Sequence, residues 1–334
     1  MAQAGRYQGE ELLYDPINKT LRNRGYFSFV TAGVKRFSGD RGEFPLILGE
    51  GIIKKPDLVG FKWGNREVIE AVAVECKKGK PKIAVGEGLG EALIYQKFFP
   101  KVLIGMNDLP DKNVKRVLEL YNLGWVTPRD AHIPLETNPS LSEKRFQEIN
   151  VFGALALSFK SISEIDKGLD FEYYRIGLTT YPDGTYHRWI CTYLKGPQYA
   201  IFVWKDKAQF VINIEHIRAF RAIRMLVKRS KNLFRNLLNE IGEFDFLLAS
   251  IPKKQIMSYK VLMDLPCDEV DVEYFLHKVE ELLKPKSEEK PYVKIYREIW
   301  HEGDALSKED LINRMYAAEE ALRSIYRFLR FGVP

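Results

Sequence analysis

Apolar positions along the chain change rhythm from segment to segment, and the rhythm predicts the elements. From Glu10 to Asn23, Leu12, Leu13, Ile17 and Leu21 recur at helical spacing and Gly25 can end the run, so a helix is expected. Tyr26 to Val30 reads as a strand, and residues 33 to 51 are glycine-rich and irregular. Asp57 to Lys62 and Glu67 to Lys77 read as two strands joined around Gly64 and Asn65, a hairpin signal. Leu89 to Phe99 predicts a short amphipathic helix, Val102 to Met106 an apolar strand, Val114 to Leu123 a helix ended by Gly124, and Trp125 to Thr127 a last short strand. This order specifies a compact α/β module over residues 1–128.

Residues 129–150, rich in proline and polar side chains near their start, read as a linker. A second, α+β domain is expected over 151–283. It opens with Val151 to Phe159. Four strand-like runs follow, Phe171–Tyr181, Thr185–Leu194, Tyr199–Lys205 and Gln209–Ile214, and their short turns imply an antiparallel meander. Tyr186, Trp189, Tyr193 and Trp204 are read as core rather than as stacking platforms. A long helix is expected from Glu215 to Ile241, and 284–334 reads as a charged linker with a helical tail.

Composition narrows the function classes. The 334 residues are 46% hydrophobic and 29% charged, which fits globular domains, and no run approaches the roughly 20 apolar residues of a membrane span. No leader is expected in MAQAGRYQGEELL. Cys76, Cys191 and Cys267 are scattered and the histidines lack HxxxH spacing, so a cytoplasmic protein without zinc or disulfides is expected, and any metal should be a hard cation on oxygen ligands. The net charge of +6 is a mild pointer to a polyanionic partner.

The informative segment is KKPDLVGFKWGNREVIEAVAVECKK, residues 54–78. Alternation along its second strand puts Val72, Val74 and Cys76 on one face and Ala71, Ala73, Glu75 and Lys77 on the other. Glu75 and Lys77 thus share a face about 7 Å apart at the backbone. Charge at the end of an apolar strand must be paired or used. Carboxylates from Asp57 and Glu75 suit a magnesium ion, with the Cys76 carbonyl as a further ligand and Lys77 to orient water or offset phosphate charge. A two-residue loop would pair Asp57 with Val72 on the wrong face. A three- or five-residue loop or a bulge is therefore expected, such as Gly64–Arg66 closing a Trp63–Glu67 pair.

Pro56-Asp57 and, 18 positions on from Asp57, Glu75-Cys76-Lys77 resemble the motif of the PD-(D/E)xK nuclease superfamily, over roughly Glu10 to Thr127. The resemblance implies a restriction-endonuclease-like mixed sheet flanked by helices, Mg2+ (with Mn2+ able to substitute), DNA as substrate, and products with 5′-phosphate and 3′-hydroxyl ends. In GEALIYQ, Tyr95 matches the tyrosine of a glutamine-xxx-tyrosine pair and Gln96 follows it, whereas Glu91 stands where the glutamine would be. An acid from the first helix is implied, with Glu11 the candidate. Glu50 reads as an extra ligand or a turn carboxylate. Lys78, Lys80 and Lys82 read as phosphate grips or as a solvated loop. A second E-x-K triplet, Glu288–Lys290, lies in charged linker and is given no role.

Arg221, Arg224, Lys228, Lys231 and Arg235 draw one stripe along the long helix, with no acid four residues away until Glu240. Five phosphate contacts there would give a salt slope of about −4.5 on duplex DNA. The other readings are a solvated face and a dock for an acidic partner. A metal-dependent DNA endonuclease with a C-terminal recognition domain is the expectation, as a homodimer or within a larger nucleic-acid-processing complex where both strands are cut. The alternative is an inactive nuclease-fold subunit that binds DNA or protein.

Overall fold

The computed structural model describes residues 9–32, 42–49, 52–64, 69–137, 143–165, 174–181, 183–192, 196–253, 259–304 and 307–333. The chain divides into two compact units, Met1–Leu157 and Ser158–Pro334. Both are α/β; one is built on a mixed sheet and the other on an antiparallel one.

The first unit runs α1 (Glu11–Asn23), β1 (Phe27–Val30), β2 (Leu46–Gly49), β3 (Ile52–Lys54), β4 (Leu58–Trp63), β5 (Ile69–Cys76), α2 (Pro81–Tyr95), β6 (Lys101–Gly105), α3 (Lys112–Leu120), β7 (Gly124–Val126), β8 (Ala131–His132) and the start of α4 (Glu143–Ile165). Its sheet has the order β1-β4-β5-β6-β7-β8. The β5, β6 and β7 strands are parallel and the outer pairings antiparallel. β5 is almost wholly apolar because both of its faces are covered. On one face Leu13, Tyr14, Ile17 and Leu21 of α1 pack on Val72, Val74 and Cys76. On the face of Phe61, the rings of Phe29, Phe44, Phe61, Phe99 and Phe152 stand 5.5 to 6.5 Å apart.

Three sequence expectations shift in this unit. Glycines 86, 88 and 90 hide the first half of α2, which starts at Pro81, a residue suited to a first turn. The stretch read as irregular, 33–51, contains β2, which pairs antiparallel with β3 just beyond it. The predicted linker contains β8 and the start of α4, whose Phe152 joins the ring cluster, so the division falls after Leu157 rather than before Val151.

The second unit contains β9 (Tyr174–Thr180), β10 (Tyr186–Thr192), β11 (Gln198–Val203), β12 (Lys207–Ile214), α5 (Ile217–Arg229), α6 (Lys231–Glu240), β13 (Asp245–Pro252), β14 (Lys260–Pro266), α7 (Val272–Leu282), β15 (Glu289–His301) and α8 (Lys308–Phe331). The expected meander is there as β9 to β12, within a sheet ordered β14-β13-β15-β12-β11-β10-β9. Residues 289–301 are therefore not linker: β15 joins β12 to β13, and the charges of Lys284–Lys290 masked it. The helix expected over Glu215–Ile241 is broken at Ser230, which ends α5 and precedes α6.

Helices cover one sheet face, where Tyr199 stacks on Tyr326 of α8 at 4.1 Å and Phe246 meets Phe275 of α7 at 5.5 Å. On the other face Trp189, Trp204 and Tyr296 pack half-buried against Cys191, Ala200, Phe202 and Val211. Tyr186 is also half-buried, and Tyr193 lies outside the described residues. No helix among the described residues is long and apolar enough to cross a membrane.

Candidate active site

The β4-β5 register decides whether Asp57 can reach Glu75. Trp63 pairs with Ile69, leaving the odd number of positions 64 to 68 between them, and Leu58 pairs with Val74. This is the five-residue option, not the Trp63–Glu67 closure. The Asp57 amide also donates to the Val74 carbonyl at 2.9 Å. Asp57 and Leu58 thus both meet Val74, the pattern of a β-bulge, which re-aims the Asp57 side chain over the end of β5. The Asp57 carbonyl accepts from the amides of Thr31 (2.8 Å) and Ala32 (3.2 Å), which fixes the bend from behind.

Asp57 is buried, and both of its oxygens are used. Oδ1 accepts from the Tyr14 hydroxyl at 3.0 Å, and Oδ2 accepts from the Cys76 amide at 2.7 Å. Cys76 thus enters the site through its N–H; its thiol is buried and unoxidised. Glu75 is 4% exposed. Its Oε1 accepts from Lys77 Nζ at 2.6 Å and its Oε2 from the Tyr95 hydroxyl at 3.1 Å. The Tyr95 hydroxyl also lies 3.0 Å from the Lys55 carbonyl, so its one proton is shared between the two acceptors and ties α2 to the segment before Asp57. Lys77 extends to Glu91 at 3.2 Å and Glu10 at 3.7 Å, and Glu91 is held by Lys54 at 2.7 Å. Close passage of α2 requires Gly88, where a Cβ would stand 3.2 Å from Lys77 Cγ.

Among the described residues, the cations paired within this group of Asp57, Glu75, Glu91 and Glu10 are Lys77 and Lys54. Burial pushes the Asp57 pKa up, against the pull of the Cys76 amide and the Tyr14 hydroxyl. Burial, a hydrogen bond with Glu91 and the Asp57 charge push Glu75 up. The same hydrogen bond from Glu75, and that from Lys54, hold Glu91 low. Burial works against the Lys77 charge, but Glu75 and Glu91 outweigh it and keep that pKa above the usual lysine value.

The sequence named Asp57, Glu75, Lys77, Glu91 and Tyr95, and the fold brings them together. Other candidates fall elsewhere. Gln96 donates to the Tyr121 carbonyl at 2.8 Å and anchors α2 to the end of α3 instead of joining the site. Glu11 is exposed; the acid of that segment nearest Lys77 is its neighbour Glu10. Glu50 lies outside the described residues. Lys78, Lys80 and Lys82 are exposed beside the site. Tyr14, Glu10 and Lys54 were missed. Tyr14 carried a signal, because it lies on the Leu13-Ile17-Leu21 stripe that packs on the sheet.

No protein-family model and no curated protein matches the chain. Function must therefore be argued from this geometry.

Among the described residues no group of three or more His, Cys, Asp or Glu side chains forms a ready metal cage. Magnesium does not need one. It keeps several waters and is commonly bound by one or two carboxylates together with substrate phosphate. Asp57 and Glu75 supply hard oxygen donors, so the donor set fits a hard divalent cation.

The basic stripe is only partly free. Lys228 pairs with Glu280 of α7, and Lys231 with Glu273 at 2.6 Å. Arg224 is half-buried, with a buried Nε that has no hydrogen-bond partner. Arg221 and Arg235 are exposed.

Proposed function

We propose that the first unit is a magnesium-dependent nuclease of the restriction-endonuclease-like fold, cutting DNA phosphodiesters at Asp57, Glu75 and Lys77. The observation that carries this reading is the convergence of two buried carboxylates, one just before β4 and one in β5, with an ammonium 2.6 Å from one of them. The mixed sheet with α1 and α2 packed against it supports the fold.

Asp57 and Glu75 would hold the cation, with the Tyr14 hydroxyl and the Cys76 amide fixing the Asp57 carboxylate and Tyr95 fixing Glu75. When bound, the ion polarises the phosphate and lowers the pKa of water. Lys77 stays protonated between Glu75 and Glu91 and can donate to a phosphate oxygen or to the attacking water. Tyr95, whose hydroxyl is held by Glu75 and by the Lys55 carbonyl, is a positioning residue.

A second reading, an inactive nuclease-fold binding protein, is favoured by one observation: both oxygens of each carboxylate already have partners within the chain. Cleavage decides between them. Plasmid, branched and single-stranded DNA are incubated with Mg2+ or Mn2+, or with chelator, using wild type and Asp57→Ala. The nuclease reading expects metal-dependent cutting of at least one substrate that is lost in the variant. Intact DNA throughout, or cutting by Asp57→Ala at the wild-type rate, would overturn it.

A further inference from the structure

The second unit holds a cavity of about 540 Å3 on the sheet face opposite its helices. That size lies within the roughly 300–1,000 Å3 of small-molecule sites. Tyr181, Trp204, Tyr259 and Tyr296 give it flat apolar walls, and Lys294 and Gln209 are among its polar lining.

Lys294 is the unusual group. It lies mid-strand on β15 and is 6% exposed. Among the described residues its ammonium has no ion pair and no hydrogen bond. What surrounds it is aromatic: Nζ stands 4.5 Å from the Phe202 ring centre, 5.6 Å from Tyr292 and 5.7 Å from Trp204. Such contacts return less than burying an ion costs. The other charges at the cavity are committed or solvated. Lys207 pairs with Glu298 at 3.0 Å, and Asp183 is exposed and bonded to Thr185. Asp264, exposed and accepting from the Tyr296 hydroxyl at 3.1 Å, acts on Lys294 through its charge without forming an ion pair with it. Gln209, 7% exposed, turns a side-chain amide without a partner among the described residues toward the same space. A buried cation and a buried amide, neither with a hydrogen-bond partner among the described residues, open into one aromatic-walled cavity.

We propose that this cavity binds a nucleotide, with the planar base against the aromatic walls, its edge read by Gln209, and its phosphate on Lys294. An anion completes what the cation lacks, and a flat ring uses walls that a bare phosphate would leave idle. Base-on-aromatic stacking is favourable for every base, because each has a π-face. The nucleotide is either free or one unit of a single strand. This site uses none of the residues of the Asp57 and Glu75 cluster, and binding is measured in chelator, so its failure and that of the nuclease reading are distinguishable.

The test follows tryptophan fluorescence of the full chain titrated with the four ribonucleoside and four deoxyribonucleoside monophosphates, adenosine, inorganic phosphate and a ten-residue single-stranded oligonucleotide. Saturable binding of at least one nucleotide is expected, at least tenfold tighter than phosphate or nucleoside alone and weakened at least tenfold by Lys294→Gln. Tighter binding of the oligonucleotide than of any monophosphate assigns a single strand as the source, and the reverse assigns a free nucleotide. Tyr259→Ser, at a half-exposed edge position, should also weaken binding and serves if Lys294→Gln does not fold. The proposal is overturned if neither nucleotide nor oligonucleotide saturates, or if folded Lys294→Gln, or Tyr259→Ser in its place, binds like wild type.

Discussion

Asp57 and Glu75 differ in how they are held, and the difference predicts different losses. Asp57 leans on a backbone amide that no side-chain change removes and on the Tyr14 hydroxyl, which Tyr14→Phe deletes. Outer partners of metal-binding carboxylates are worth about 10–100-fold in metal affinity or rate. Tyr14→Phe should therefore lower metal-dependent cleavage by about that factor without unfolding the chain, as read by single-turnover kinetics beside a thermal melt. An unchanged rate would mean that Asp57 needs no orienting. At this scale the sequence revealed residues whose chemistry is tied to one strand's alternation, Glu75 and Lys77 above all. It pointed to Glu11 where the fold brings Glu10 to Lys77, because neighbouring helix-start positions differ only in rotation and their facing is set by tertiary contacts. Gln96 misled for the opposite reason: it follows Tyr95 directly, and consecutive helical residues point about 100° apart.

At the scale of elements, the hairpin register was legible because only an odd loop or a bulge lets Asp57 reach Glu75, and the chain uses both devices. Contact between β5 and β6 depends on Gly105, where a Cβ would stand 2.6 Å from Cys76 Sγ and 2.9 Å from Ile17 Cδ1. Gly105→Ala should destabilise the protein by about 1–3 kcal/mol, lowering the denaturant midpoint with little change in slope. In the second sheet, His187 is buried beside Tyr181, whose hydroxyl is 3.0 Å from Nδ1, and burial and the Lys294 charge push its pKa down to about 3. Unfolded, it titrates near 6.5. Between those values the unfolded chain binds a proton that the folded chain refuses. The stability this residue leaves intact above about pH 6.5 is therefore lost as the pH falls toward 3. Melting temperature should drop more steeply from pH 7 to pH 4 in wild type than in His187→Phe; parallel curves would contradict the assignment. Two elements were illegible for physical reasons. Ser230 breaks a helix without a glycine or proline to mark it, and β15 begins in a charged run that looks like solvent-facing linker.

At the scale of the whole molecule, the proposed nuclease would need a surface that holds the polyanion as well as a centre that cuts it. The five-residue stripe read from helical spacing overstated that surface, since glutamates on α7 take Lys228 and Lys231. Spacing along one helix cannot reveal the acids of another. Arg221 and Arg235 remain exposed. Each phosphate contact contributes about −0.9 to the slope of log K against log salt. Arg221→Gln with Arg235→Gln should thus make that slope shallower by about 2, while Lys228→Gln with Lys231→Gln should change it less. Equal effects of the two pairs would mean that the α7 pairings dissolve on binding.

Calorimetric titration of Mn2+ into the metal-free full chain, compared with Asp57→Asn and Glu75→Gln, bears most directly on the carboxylate pair. Saturable binding in wild type, weakened at least tenfold by either substitution in a protein that still melts cooperatively, is the expected result. Affinity unchanged in both variants, or no saturable uptake by wild type even with a DNA oligonucleotide present, would contradict it.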